Sequence, residues 1–237
     1  MNEIRDVIIP LDFSSGKETM AFLEMINDGI AGAKPYVKIG MELFYAEGAE
    51  FVRKIAAMGY HIFLDLKLCD IPNTVKRAMT VLKDLPIDMV NIHALGGETM
   101  IKAALEGLTR SDGTRPKLIA VTILTSISQA ALNEELGVLG SVEDTCVRLA
   151  LLAKRAGLDG VVCSAREVLR IHEACGADFL TVTPGVRFSD EDAGDQSRVV
   201  TPEDARKWGS DYIVVGRSIT RAIDPVKAYN RYCAAFR

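Results

Sequence analysis

Asp65 and Lys67 stand two residues apart in the segment DLKLCD, with Asp70 three residues beyond the lysine. On an extended strand this spacing puts the two charged side chains on one face and gives the other face to Leu64 and Leu66. Inside a fold an unpaired charge costs several kcal/mol, so each of the two must be neutralised by a neighbour. A carboxylate beside Lys67 keeps its ammonium protonated, whereas desolvation alone would drive the proton off, and this makes Lys67 the candidate proton donor. Asp12 closes one other apolar run, Lys38 lies within another, and both aim at the same space. A structural ion pair is the plain alternative, but so much charge in one place exceeds what packing requires.

A second constellation comes from VTPGVR and VVGRSI near the end of the chain, which supply Pro184, Gly185 and Arg187, then Gly216 and Arg217. A glycine turn offers backbone N–H groups to an anion and a following arginine adds charge, so the pair predicts a phosphate site. A turn with a solvated arginine is the alternative for either segment alone. The polar stretch from Arg187 to Arg198 has the composition of a mobile lid, from which Gln196 and Arg198 could close over the same anion. His93 is a weaker candidate, as apt for a structural hydrogen bond as for catalysis, while His61 and His172 are expected to be structural. No metal is expected, because Lys67 between Asp65 and Asp70 takes the place of a cation.

Positioning these residues requires strands whose ends converge. Eight short apolar, β-branched runs recur along the chain at 6–12, 35–40, 61–67, 89–94, 117–124, 160–165, 178–185 and 212–219. Between them lie segments with helical spacing, such as Phe51, Val52, Ile55, Ala56 and Met58, or Met100, Ile101, Ala104, Leu105 and Leu108. The βα alternation implies a parallel sheet, and eight units without a linker favour an α/β fold of one (β/α)8 TIM barrel over residues 1–237. An open flavodoxin-like or Rossmann sheet is the alternative, weakened by the lack of a GxGxxG turn after the first strand. The candidate residues then fall at strand ends, where such barrels place their sites. Residues 125–142 are expected to cover one end of the barrel before a helix near 143–156.

Of 237 residues, 49% are apolar and 25% charged, enough for a sizeable core, and the net charge of −4 comes without a basic stripe. Nucleic acid and anionic membrane are therefore not expected partners. Five cysteines without a CxxC pair argue against a disulfide framework or zinc site and suit the cytoplasm. The opening MNEIRDVIIPLD carries no basic segment followed by a long apolar one, and no apolar run approaches the ~20 residues of a membrane span. Neither export nor membrane insertion is expected.

Taken together, DVIIPLDF, YVKIGMELFY, FLDLKLCDIPNT, VNIHALGG, VTILTS, DGVVCSA, LTVTPGVR, GDQSRV and YIVVGRSIT resemble the orotidine 5'-monophosphate decarboxylases over almost the whole chain. The DxKxxD core is shared with sugar-phosphate relatives, including a ketogulonate-phosphate decarboxylase and a hexulose-phosphate synthase; IPNT, TPGVR and GDQ narrow the match. The resemblance implies a cofactor-free decarboxylation of orotidine 5'-monophosphate to uridine 5'-monophosphate, with Lys67, Asp65, Asp70 and Lys38 as the catalytic group. It also implies a homodimer in which Asp70, Ile71 and Thr74 of one subunit complete the other's site. Asp12 and Lys38 would hold the ribose hydroxyls and Thr125 would lie near the pyrimidine. Pro184, Arg187, Gln196, Gly216 and Arg217 would surround the phosphate, with 187–198 as the lid. Three positions depart from the family pattern: Cys69 where His is common, Pro10 where Ala is usual, and Ile123 where a polar residue is frequent.

Overall fold

The computed structural model describes residues 5–30, 34–191 and 200–237. Strands β1 (Asp6–Pro10), β2 (Tyr36–Gly40), β3 (His61–Leu68), β4 (Met89–His93), β5 (Lys117–Val121), β6 (Gly160–Val162), β7 (Leu180–Pro184) and β8 (Tyr212–Val214) pair in parallel in chain order. β8 returns to β1 through Asp6 opposite Tyr212, so the sheet closes into an eight-stranded barrel. Around it run α1 (Gly16–Gly29), α2 (Met41–Ala57), α3 (Pro72–Leu82), α4 (Gly97–Leu108), α5 (Val142–Arg155), α6 (Val168–Cys175), α7 (Pro202–Lys207), α8 (Arg217–Thr220) and α9 (Pro225–Phe236). This is the (β/α)8 architecture that the alternation of runs implies.

Each strand is buried on both faces, which is why the runs are continuously apolar rather than alternating. Val7 and Ile9 pack outward against the helices, while Ile8 joins Tyr36, Phe63, Met89, Ile119, Val182 and Tyr212 in a separate cluster that fills the barrel. Two residues further along the same inward rows the chemistry changes: Tyr36 gives way to Lys38, Phe63 to Asp65 and Met89 to Asn91. An apolar plug thus closes the lower barrel and supports a polar layer at the C-terminal mouth.

The opposite mouth is fastened by a repeating contact. Asp88, Asp159 and Asp211 each stand one residue before β4, β6 and β8, and each carboxylate accepts the N–H of the second residue of the preceding strand. The donors are Ile62, Leu118 and Thr181, all at 2.7 Å. Asp159 is further paired with Arg115. Hydrogen bonds to a charged acceptor contribute about 1.5–3 kcal/mol each, so this end serves stability.

Several runs stop short of their expected ends. β5, β6 and β8 close at Val121, Val162 and Val214, because the chain there leaves the ladder for the βα loops, and Arg217–Thr220 is helical rather than strand. Residues 125–142 are not all loop, since Ala131–Glu135 form a turn of wide helix before α5. α5 starts where Ser141 caps the N–H of Asp144 at 3.0 Å. Pro10 ends β1 after the last β1–β8 partners, Ile8 and Val214, so its missing N–H deprives that ladder of nothing. Among the described residues no helix is long and apolar enough to cross a membrane.

Candidate active site

Three neighbouring strands, β1 to β3, bring together a ladder of alternating charge, and β4 adds a neutral amide beneath it. Lys38 Nζ lies 3.0 Å from Asp12 Oδ1 and 3.3 Å from Asp65 Oδ2, and Asp65 Oδ1 accepts from Lys67 Nζ at 2.7 Å. Asn91, which is fully buried, donates through Nδ2 to the same Asp65 oxygen at 2.7 Å. Burial pushes the Lys38 ammonium towards losing its proton, but the carboxylates of Asp65 and Asp12 overcome it and the pKa rises. Burial likewise pushes Asp65 up, and the charges of Lys38 and Lys67 with the bonds from Lys67 and Asn91 outweigh it and hold the carboxyl below the ordinary aspartate value. With Asp65 shifted down and Lys38 shifted up from their ordinary values, both remain charged at neutral pH.

Lys67 reaches Asp65 by a route that simple alternation does not describe. Leu64 pairs with Val90 and Leu68 with Ile92, so Asp65, Leu66 and Lys67 together face the single residue Asn91. The slack is taken up at Lys67, the one described non-glycine residue with positive φ, at 52°. A left-handed conformation costs an L-residue about 1–2 kcal/mol. It is offset here by the Lys67 N–H, which donates to Asn91 Oδ1 at 2.8 Å. Asn91 thus joins the charged group although no motif in the sequence singles it out. Its signal was available: an amide on the inward row of an otherwise apolar strand needs polar partners.

Two adjoining cavities flank the ladder. One of about 470 Å³ is bordered by Asp12, Lys38 and Lys67 on one side and by Pro184, Arg187 and Arg217 on the other. Gly185 turns the chain there with φ of 78°, a conformation open to glycine, and Gly216 precedes α8. The smaller, about 150 Å³, shares Lys38, Lys67 and Pro184 and is otherwise lined largely by apolar side chains such as Phe63, Val121, Ile123 and Val182, with Thr125 at its edge. Cationic groups thus face one end of a continuous space and an apolar slot the other, with Lys67 between. His93, half-buried at the end of β4, has its pKa lowered by burial and then by the charge of Lys67.

Some expected members lie apart. Asp70, Ile71 and Thr74 are exposed at the start of α3, and Asp70 Oδ1 accepts the N–H of Ile71 at 2.6 Å rather than contacting Lys67. Gln196 and Arg198 fall outside the described residues. Of the 187–198 segment, the described start is fixed: Arg187 N–H donates to the Val200 carbonyl at 2.9 Å, Arg231 meets Asp190 at 3.1 Å, and Tyr232 Oη donates to Glu191 at 2.7 Å.

Residues 5–232 match the family model described as Orotidine 5'-phosphate decarboxylase / HUMPS family. Orotidine 5'-phosphate decarboxylase from Bacillus caldolyticus is 54% identical over 227 residues, covering 94% of this chain and 91% of that protein. The same-named protein from a Geobacillus species is 53% identical, with 94% and 93% covered. The crystal structure of orotidine 5'-phosphate decarboxylase from Lactobacillus acidophilus superposes with a TM-score of 0.84 at 43% identity, over 98% of this chain and 99% of that one. On these matches, spanning nearly the whole barrel and every strand end that carries the ladder, the chain belongs to the orotidine 5'-phosphate decarboxylase / HUMPS family.

Proposed function

We propose that this chain decarboxylates orotidine 5'-monophosphate to uridine 5'-monophosphate and carbon dioxide, the closing step of uridylate synthesis, without a cofactor. The observation that carries the reading is Lys67 Nζ, held 2.7 Å from Asp65 between an apolar slot and a cavity edged by Arg187 and Arg217. Breaking the bond from the ring to its carboxylate leaves an electron pair on a carbon with no adjacent carbonyl to accept it. The ammonium of Lys67 stabilises that pair and then transfers a proton to it, leaving a neutral amine that regains its proton from water. Asp12 and Lys38 take the ribose hydroxyls, Thr125 and the apolar slot the pyrimidine, and Pro184, Arg187, Gln196, Gly216 and Arg217 the phosphate. The test is the fall in substrate ultraviolet absorbance on mixing with chelator-treated protein. Persistent turnover supports the reading; turnover lost on chelation points to a sugar-phosphate reaction that needs a divalent ion for an enediolate. Tight nucleotide binding without turnover points to a non-catalytic barrel.

The active form is proposed to be a homodimer, in which the partner subunit's Asp70 lies beside Lys67 and Ile71 and Thr74 border the same site. The exposure of all three residues in the single chain, Ile71 at 67%, supports this reading. It predicts complementation between two inactive variants, Lys67→Ala and Asp70→Ala. Random pairing after equal mixing makes half the dimers mixed, each with one native site of two, so about a quarter of wild-type activity returns. Activity that stays at the level of the separate variants would place Asp70 in its own subunit's site or outside any.

A further inference from the structure

Building on the proposed decarboxylation, we infer that Asn91 is a positioning residue for Lys67: it fixes the backbone from which the ammonium reaches the reacting carbon. Three residues of β3 bulge against Asn91 alone, and its side chain supplies what the interrupted ladder lacks. The Oδ1 atom accepts the Lys67 N–H at 2.8 Å, and Nδ2 donates to the Asp65 oxygen that also takes Lys67 Nζ. One amide therefore grips the lysine at both ends, directly at its backbone and through Asp65 at its tip. A donor and an acceptor on two separate atoms are both needed, which excludes Leu and an ionised carboxylate as equal substitutes, and the single short hydroxyl of Ser does not span both partners. Asn91 is buried beneath Asp65 and Lys67 and lines neither cavity, so it is not a substrate contact. Without it, nothing in the β4 strand compensates a left-handed Lys67, and the residue relaxes towards extended backbone with its Nζ displaced.

Two variants separate positioning from stability. Asn91→Leu keeps the branched shape, with somewhat greater bulk, and removes both bonds. Asn91→Asp keeps the acceptor for the Lys67 N–H but sets a second carboxylate against Asp65, in a layer whose other titratable groups are Lys38, Lys67, His93 and, across Lys38, Asp12. The expected result is a fall in kcat of about 10²-fold in each, the scale of an ångström of misplacement, with KM for the substrate and affinity for uridine 5'-monophosphate changed by less than about threefold. In Asn91→Asp, the two facing carboxylates share a proton more readily as pH falls, and the protonated side chain donates to Asp65 again; kcat recovers towards acid pH, which the wild type does not do. The inference is overturned if kcat of either folded variant stays within about threefold of wild type, or if the loss in Asn91→Asp follows loss of product affinity and shows no acid recovery. It is also overturned if Asn91→Asp does not fold, because Asn91 would then serve stability. A wild-type chain inert towards orotidine 5'-monophosphate would instead remove the proposed function itself.

Discussion

Replacing Lys67 by alanine lowers kcat for orotidine 5'-monophosphate by roughly 10⁴-fold or more, the combined scale of losing a positioned proton donor and an electrostatic stabiliser of the developing charge. The protein should remain folded. Asp65 keeps Lys38 at 3.3 Å and Asn91 at 2.7 Å, so no buried carboxylate is orphaned. Ligand affinities separate the roles further. The substrate's own carboxylate would enter beside Asp65 with one cation fewer to offset it, so substrate affinity falls. The product carries no carboxylate on the ring and its affinity changes far less. Measuring kcat together with the two dissociation constants checks this; a loss of less than about tenfold in kcat would give the proton donation to another group.

The barrel was legible because its cause is local and repeated. Eight apolar runs separated by helical spacing have few other ways to bury both faces of each strand, and the runs from Asp6 and His61 fall where strands form. Strand ends were less legible: the runs through Ile123, Ala165 and Ile219 continue in composition after the ladder stops, because loops over a barrel mouth also bury apolar side chains. In the site, strand alternation puts Asp65 and Lys67 together, and they do meet, yet through a bulge with Lys67 left-handed. No spacing in β3 announces that irregularity, since it is fixed by Asn91 on a neighbouring strand. Asp70, Ile71 and Thr74 could not be assigned to a site from this chain's own contacts, and the role given to them comes from family resemblance.

Arg217 carries the second large effect. It lies with Arg187 at the end of the 470 Å³ cavity away from the apolar slot, where the substrate's phosphate is proposed to bind, remote from the carbon that reacts. Arg217→Ala is expected to lower kcat/KM for orotidine 5'-monophosphate by about 10²–10³-fold, the scale of one or two charge-assisted hydrogen bonds. The decisive comparison is orotidine, the same ring and sugar without phosphate. A side chain that acts only on the phosphate leaves the slow turnover of orotidine unchanged by the substitution. The division between kcat and KM then tells how the phosphate's binding energy is used. If it only tethers the substrate, KM rises and kcat stays. If it also draws the segment after Arg187 over the cavity and excludes water from the ladder, kcat falls too, because contacts far from the reacting carbon then stabilise the transition state. The second outcome is the expected one, since Arg187 begins that segment while lining the same cavity, so one anion can engage both. An equal loss with orotidine would mean that Arg217 shapes the mouth of the barrel rather than gripping a phosphate.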